Sequence, residues 1–264
     1  MAPQNRKQQL EAAVARIQAR FGPRALTRGP TRPAAVAGTA AAVSHIPTGY
    51  PALDALLRIG GLPRGKVCEI VGRPTSGKTT LVLHFLAQAQ AYGPVAYLDQ
   101  ARYFDAASAS RPSLVGRGLD LSRLLVGLPY DLAECLAAAE ALAQSEALSA
   151  LVIDALDALL DDGEGARQVG AFLGRMTAPL ARSGLVLLVV HDGEPRGERS
   201  TPLAHHATLR LGVRREKWLK KNGDVCGCQA RIEVLKNRLG PSGQGVSLAI
   251  EWGGARGGGA PAGS

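Results

Sequence analysis

The stretch Val67-Cys68-Glu69-Ile70-Val71-Gly72-Arg73-Pro74-Thr75-Ser76-Gly77-Lys78-Thr79-Thr80 limits the possible folds more than any other. An apolar run rich in β-branched residues leads into Gly-x-x-x-x-Gly-Lys-Thr. Leu81, Val82, Phe85 and Leu86 then follow at helical spacing. Strand, loop and helix in that order form the context a P-loop requires. The glycines let the backbone curl until its N–H groups converge on phosphate, at the positive end of a helix dipole. On this reading Gly72, Arg73, Pro74, Thr75, Ser76, Gly77, Lys78, Thr79 and Thr80 form the cradle. Lys78 reaches the β- and γ-phosphates and the Thr79 hydroxyl ligates Mg²⁺. A glycine-rich turn with a solvated lysine is the competing reading, and the flanking strand and helix argue against it. The expected ligand is a nucleoside triphosphate.

The rest of the chain reads as the α/β fold such a loop belongs to. Val95–Asp99, Leu124–Gly127, Ala150–Asp154 and Gly184–His191 are apolar runs separated by helical patterns, among them Leu132–Ser145 and Glu164–Ser183. Continuous apolar strands alternating with helices imply a mostly parallel sheet covered on both faces. Beyond His191 the pattern changes. Leu209–Arg214, Ala230–Leu235 and Val246–Ile250 alternate and are expected as antiparallel edge strands, the first two joined by a hairpin at Asn222-Gly223. Asp192 to His206 is polar and is expected to be mobile. Ahead of the core, Leu10, Val14, Ile17 and Phe21 lie on one stripe of an amphipathic helix that Gly22-Pro23 ends. The expected organisation is a helix within residues 1–28, a linker at 29–45, a core at 46–253 and a disordered Gly/Ala-rich tail at 254–264.

The 264 residues, 46% hydrophobic, suffice for one full α/β core. No run is apolar and long enough to cross a bilayer and no secretory signal opens the chain, so a soluble intracellular protein is expected. The cysteines Cys68, Cys135, Cys226 and Cys228 lack metal-site spacing and read as reduced thiols. A formal charge of +9 points to a polyanionic partner, most simply nucleic acid. The cation-rich stretch Arg210, Arg214, Arg215, Lys217, Lys220 and Lys221, with Trp218 among them, is the strongest candidate for that contact. A solvated hairpin with Trp218 covering the core edge is the alternative. Asp154, closing its strand, reads as the acid that orients Mg²⁺. The end of the second strand is where such proteins keep a carboxylate to activate water. The local sequence there is Asp99-Gln100-Ala101-Arg102-Tyr103-Phe104-Asp105.

In motif order and spacing, residues 6 to about 253 resemble the RecA recombinase family. Ile46-Pro47-Thr48-Gly49 to Gly65 matches the family's lead-in to the P-loop, and Asp154 follows at the family's distance. Lys236-Asn237-Arg238 is similar to the Lys-Asn-Lys segment with which the family reaches a neighbour's ATP. The resemblance implies a RecA-like core that binds ATP with Mg²⁺ and single-stranded DNA in the bacterial cytoplasm. It also implies head-to-tail self-association through residues 6–28, with Lys236 and Arg238 acting in trans. Asp105 matches a carboxylate near the adenine. Arg196 and Arg199, with His205 and His206 nearby, fall in the family's second DNA-binding loop, although the histidines on their own read as ordinary residues.

The departures from the family bear on catalysis. The catalytic glutamate falls on Ala101, leaving Asp99 and Gln100 as weak substitutes. The Asn-Gln sensor falls on His191-Asp192, and an aspartate would repel a γ-phosphate rather than donate to it. The first DNA loop is expected to be too short for the family's full loop, and the family's further C-terminal domain is expected to be absent. This pattern resembles the shortened RecA relatives of damage-induced mutagenesis cassettes, which act beside a Y-family-like translesion polymerase subunit. It implies an accessory factor with weak hydrolysis that binds RecA or that polymerase. A DNA-dependent ATPase that forms filaments is the alternative.

Overall fold

A computed structural model describes residues 15, 19, 43–110, 118–156, 163–195 and 201–251. The chain divides into two units, residues 1–42 and 43–264. Of the first, Ala15 and Ala19 are described, both helical and exposed. The apolar stripe from Leu10 to Phe21, the linker up to Ala42 and the tail at 254–264 lie outside the described residues, as do Arg196 and Arg199.

In the second unit β1 (His45–Ile46) pairs with β2 (Leu62–Pro63), on either side of helix α1 (Pro51–Leu57). The P-loop strand β3 (Val67–Gly72) and helix α2 (Lys78–Ala89) come next. Then follow β4 (Val95–Asp99), α3 (Ala106–Ala109), β5 (Leu124–Gly127), α4 (Leu132–Gln144), β6 (Ala150–Asp154), α5 (Gly163–Ser183) and β7 (Val186–Asp192). The short helix α6 (Pro202–His206) precedes β8 (Leu209–Lys221), β9 (Asp224–Asn237) and β10 (Gly245–Glu251). Strands β3 to β10 form an eight-stranded sheet in the order β10-β9-β8-β3-β7-β6-β4-β5, parallel from β8 through β5.

The alternation of side chains along each strand divides the apolar residues between two cores. Ile70, Tyr97, Val152, Leu188 and Val190 face the side where Leu81, Val82 and Phe85 of α2 pack. Leu98, Leu151, Ile153, Leu187 and Val189 face α4 and α5, against Cys135, Leu136, Phe172 and Met176. Each fully buried side chain of this kind contributes on the order of 1.5–3 kcal/mol. A sheet apolar on both faces cannot settle with either face in water, so helices cover both.

The C-terminal strands refine the expectation. β8 is not an edge: it runs parallel to β3 on one side and antiparallel to β9 on the other. The ribbon of β8 and β9 extends to Asn222 and Gly223, both at positive φ as a two-residue type I′ hairpin demands. Register shifts at Arg215/Lys217 and Leu219/Lys220 break the strict alternation of its cations. Part of the stretch expected to be mobile is ordered as α6, capped by the Thr201 hydroxyl.

Candidate nucleotide site

The carboxyl ends of β3, β4, β6 and β7 meet on one edge of the sheet, the edge on which open α/β sheets bind their ligands. All six residues of β3 are buried. At its end a Cβ on Gly72 would lie 2.3 Å from the Val213 carbonyl and 2.9 Å from Ser76 Oγ. Only glycine therefore lets β8 pack this close. Gly77 opens α2 at φ 99°, a conformation that favours glycine. Thr75 also sits at positive φ, 61°, costly for a β-branched residue. Arg215 holds it there, donating to the Thr75 carbonyl at 2.6 Å and to its hydroxyl at 2.5 Å. The Arg215 guanidinium lies 3.9 Å from the centre of the Trp218 ring. Trp218 and Thr75–Thr80 line a cleft of about 250 Å³.

Lys78 lies inside this cradle with its side chain 7% exposed. Its amine donates to the carbonyls of Gly72 and Arg73 at 2.8 and 2.9 Å, and to Asp192 Oδ1 at 2.6 Å. The Arg73 side chain turns outward to Glu194. Pro74 and Ser76 line a second cavity with Arg214 and Arg215. Thr79 donates to Asp154 Oδ2 at 3.0 Å, and the same oxygen accepts from the buried Tyr97 hydroxyl at 2.6 Å. Burial pushes the Asp154 carboxyl up, against the Tyr97 and Thr79 hydrogen bonds and the Lys78 charge. A divalent cation at this position would favour its ionised form. Ser76 Oγ is buried without a hydrogen-bond partner. A lysine amine, a Thr79–Asp154 pair, a spare hydroxyl and a cradle floored by glycine fit a phosphate chain with Mg²⁺. Among the described residues there is no cluster of three metal-ligating side chains, so Thr79 and Asp154 would supply an ion held mainly by phosphate and water.

The other residues singled out in the sequence are engaged in specific ways. Asp99 is buried and accepts the backbone N–H groups of Tyr103 and Phe104 at 3.1 and 2.8 Å. The Gln100 backbone donates to the Asp154 carbonyl at 2.8 Å, and its buried Oε1 has no hydrogen-bond partner. Asp105 caps α3, accepting from the Ala107 and Ser108 N–H groups and the Ser108 hydroxyl. Lys236 donates to the Ala204 and His205 carbonyls at 2.7 and 3.1 Å, and Arg238 donates to His205 at 2.8 Å. Both close the carboxyl end of α6 within their own chain.

The cationic stretch divides. Arg214, Lys217, Lys220 and Lys221 are exposed, while Arg215 is spent on the P-loop. Arg210 is committed to the interior: it donates to both oxygens of Glu69, at 2.6 and 3.0 Å, and Glu69 is fully buried. The reason is register, since β8 lies beside β3 with Glu69 and Arg210 as neighbours. His191 Nε2 meets the same carboxylate at 2.9 Å. Sequence reading missed Glu69 and Tyr97. A lone acid inside a strand as apolar as β3 was the available signal, since such a charge must find partners.

A P-loop at the centre of a parallel sheet, with an acid closing a nearby strand, defines a P-loop nucleotide-binding core. Residues 8–185 match the model of the RecA N-terminal domain. Protein RecA of Frankia casuarinae is 36% identical over 279 residues, covering 96% of this chain and 77% of that protein. Protein RecA of Nocardia farcinica is 36% identical over 268 residues (91% and 74%), and that of Blastochloris viridis 33% over 267 (92% and 74%). The chain belongs to the RecA family.

Proposed function

We propose that this protein binds ATP with Mg²⁺ and single-stranded DNA and serves bacterial DNA repair while turning ATP over slowly or not at all. The observation that carries this reading is the contrast within one sheet edge. Lys78, Thr79 and Asp154 are gathered where the phosphates of a nucleotide would lie. Ala101 stands where the family keeps its glutamate, and Asp99, two residues before it, is buried and spent on the N–H groups of Tyr103 and Phe104. Bound Mg²⁺ would neutralise phosphate charge. The Thr79 hydroxyl and Asp154 would orient it, Lys78 and the loop N–H groups would hold the phosphates, and Asp99, spent on backbone N–H groups, is not free to act as the base that withdraws a proton from water. Loss of such a base costs roughly 10²–10⁴ in rate.

The function that follows is accessory, of the ImuA type. The protein would act in the damage-induced SOS response and mutagenic translesion synthesis, in the cytoplasm. There it would bind RecA or a Y-family-like polymerase partner, with residues 6–28 as a docking or self-association segment. Nucleotide would stabilise the binding-competent fold rather than drive a cycle. Arg214, Lys217, Lys220 and Lys221 supply the exposed cations for DNA, Arg196 and Arg199 earlier in the chain are further candidates, and Lys236 and Arg238 remain candidates for contacts in trans. Identity of 33–36% to RecA proteins over more than nine-tenths of the chain favours the recombinase alternative equally. Affinity capture from damaged cells separates the two. RecA or a polymerase subunit retained without DNA supports the accessory role; recovery of DNA-bound self-filaments with brisk ATP turnover refutes it.

A further inference from the structure

The Lys78 ammonium has three N–H donors, and the protein satisfies all of them. Two go to the P-loop's own carbonyls, at Gly72 and Arg73; the third goes to Asp192 Oδ1 at 2.6 Å. Asp192 is the last residue of β7, not part of a loop. It is the register neighbour of Gly72 in the parallel ladder, and the Gly193 N–H donates to the Gly72 carbonyl at 3.2 Å. Its own carbonyl lies 3.1 Å from His191 Nδ1, and the far nitrogen of that ring is fixed on buried Glu69. The carboxylate is thus presented to Lys78 from a rigid strand end, held by the β3 ladder and by the His191–Glu69 pair.

A P-loop lysine serves the β- and γ-phosphates. Here one of its donors already faces a fixed anion. A diphosphate can share the lysine with that anion. A triphosphate must bring a further, more highly charged group to the same amine, beside a carboxylate that cannot donate to it. Like charges brought together in a partly buried site are costly. We infer that Asp192 is a specificity-determining residue that makes this site prefer nucleoside diphosphates over triphosphates. The inference rests on the nucleotide-binding reading above and adds to it which nucleotide the site prefers.

Calorimetric titration of the full chain with ADP and with a non-hydrolysable ATP analogue, both with Mg²⁺, tests this. The wild-type protein is expected to bind ADP at least tenfold more tightly. Asp192→Asn, which keeps the side-chain shape without the charge, is expected to narrow the ratio at least tenfold, mainly by strengthening the analogue. Asp192→Gln is expected to do the same and serves if the first variant melts early. Equal or tighter binding of the analogue by wild type overturns the inference, as does an unchanged ratio in a folded variant. Binding of neither nucleotide by wild type overturns the nucleotide reading itself, and binding that survives Lys78→Ala shows the ligand to be elsewhere.

Discussion

Replacing Glu69 by Gln tests the ion-pair network beneath the P-loop. Glu69 is fully buried in the middle of β3, and its two oxygens accept Arg210 at 2.6 and 3.0 Å and His191 at 2.9 Å. The amide keeps the shape but leaves the Arg210 guanidinium without its counter-charge. Removing one partner of a buried pair costs about 3–5 kcal/mol. Arg210 is 20% exposed, so water reaches it and the low end, about 3 kcal/mol, applies. For a chain of this size that lowers the melting temperature by roughly 6–12 °C, read by circular dichroism. Adding Arg210→Met removes the stranded charge and should recover much of the loss, because these residues are coupled. The acid limb gives a second signature. Burial works against the Glu69 charge, but the hydrogen bonds and charges of His191 and Arg210 outweigh it and hold the carboxyl below its usual range. A depressed carboxyl contributes its stability above its unfolded pKa and loses it as pH falls through the folded value. Glu69→Gln should therefore be flatter than wild type in acid. Melting within about 2 °C of wild type at pH 7, or no recovery in the double variant, would refute the reasoning.

Three further outcomes are expected. His84 Nδ1 lies 2.5 Å from the Tyr50 hydroxyl, and burial pushes the imidazole down to about 4. The unfolded chain takes up this proton near pH 6.5, so stability should fall between about pH 6.5 and 4, and His84→Gln should flatten melting curves in that window. On the proposed reading, Ala101→Glu puts a carboxylate where the resemblance sets the catalytic glutamate and should raise phosphate release at least tenfold; no change would count against Ala101 as the reason for slow turnover. Neutralising Lys217, Lys220 and Lys221 together should make the salt dependence of single-stranded DNA binding shallower. In a plot of log affinity against log salt the slope should fall by about 0.7 for each phosphate these lysines neutralise. An unchanged slope would place the DNA elsewhere.

The elements were legible because their signals are local. The runs at Val67–Val71 and Ala150–Ile153 are too apolar and too short for anything but buried strands, and Asn222-Gly223 admits few turns. Gly-Lys-Thr after a strand fixed the P-loop, and from it the place of Asp154. What the sequence hid were partners fixed only when strands lie side by side. Arg210 reads as one more cation of a basic stretch until β8 is laid against β3 and Glu69 faces it. Arg215 looks identical to Arg214 in sequence, yet in the folded ribbon it reaches back to Thr75. Asp192 reads in the sequence only as a departure from the resemblance, and its bond to Lys78 depends on the β3–β7 ladder. Tyr97 reads as a core aromatic, and only the neighbouring strand gives its hydroxyl to Asp154.

The central claim is that this site holds a nucleotide without breaking it. The direct measurement is phosphate release by the full chain with single-stranded DNA, run beside RecA of Frankia casuarinae, with nucleotide occupancy followed in the same samples. The account predicts saturable occupancy that disappears in Lys78→Ala and turnover about 10²–10⁴ below the relative. Turnover matching the relative, and lost in Lys78→Ala, would contradict it.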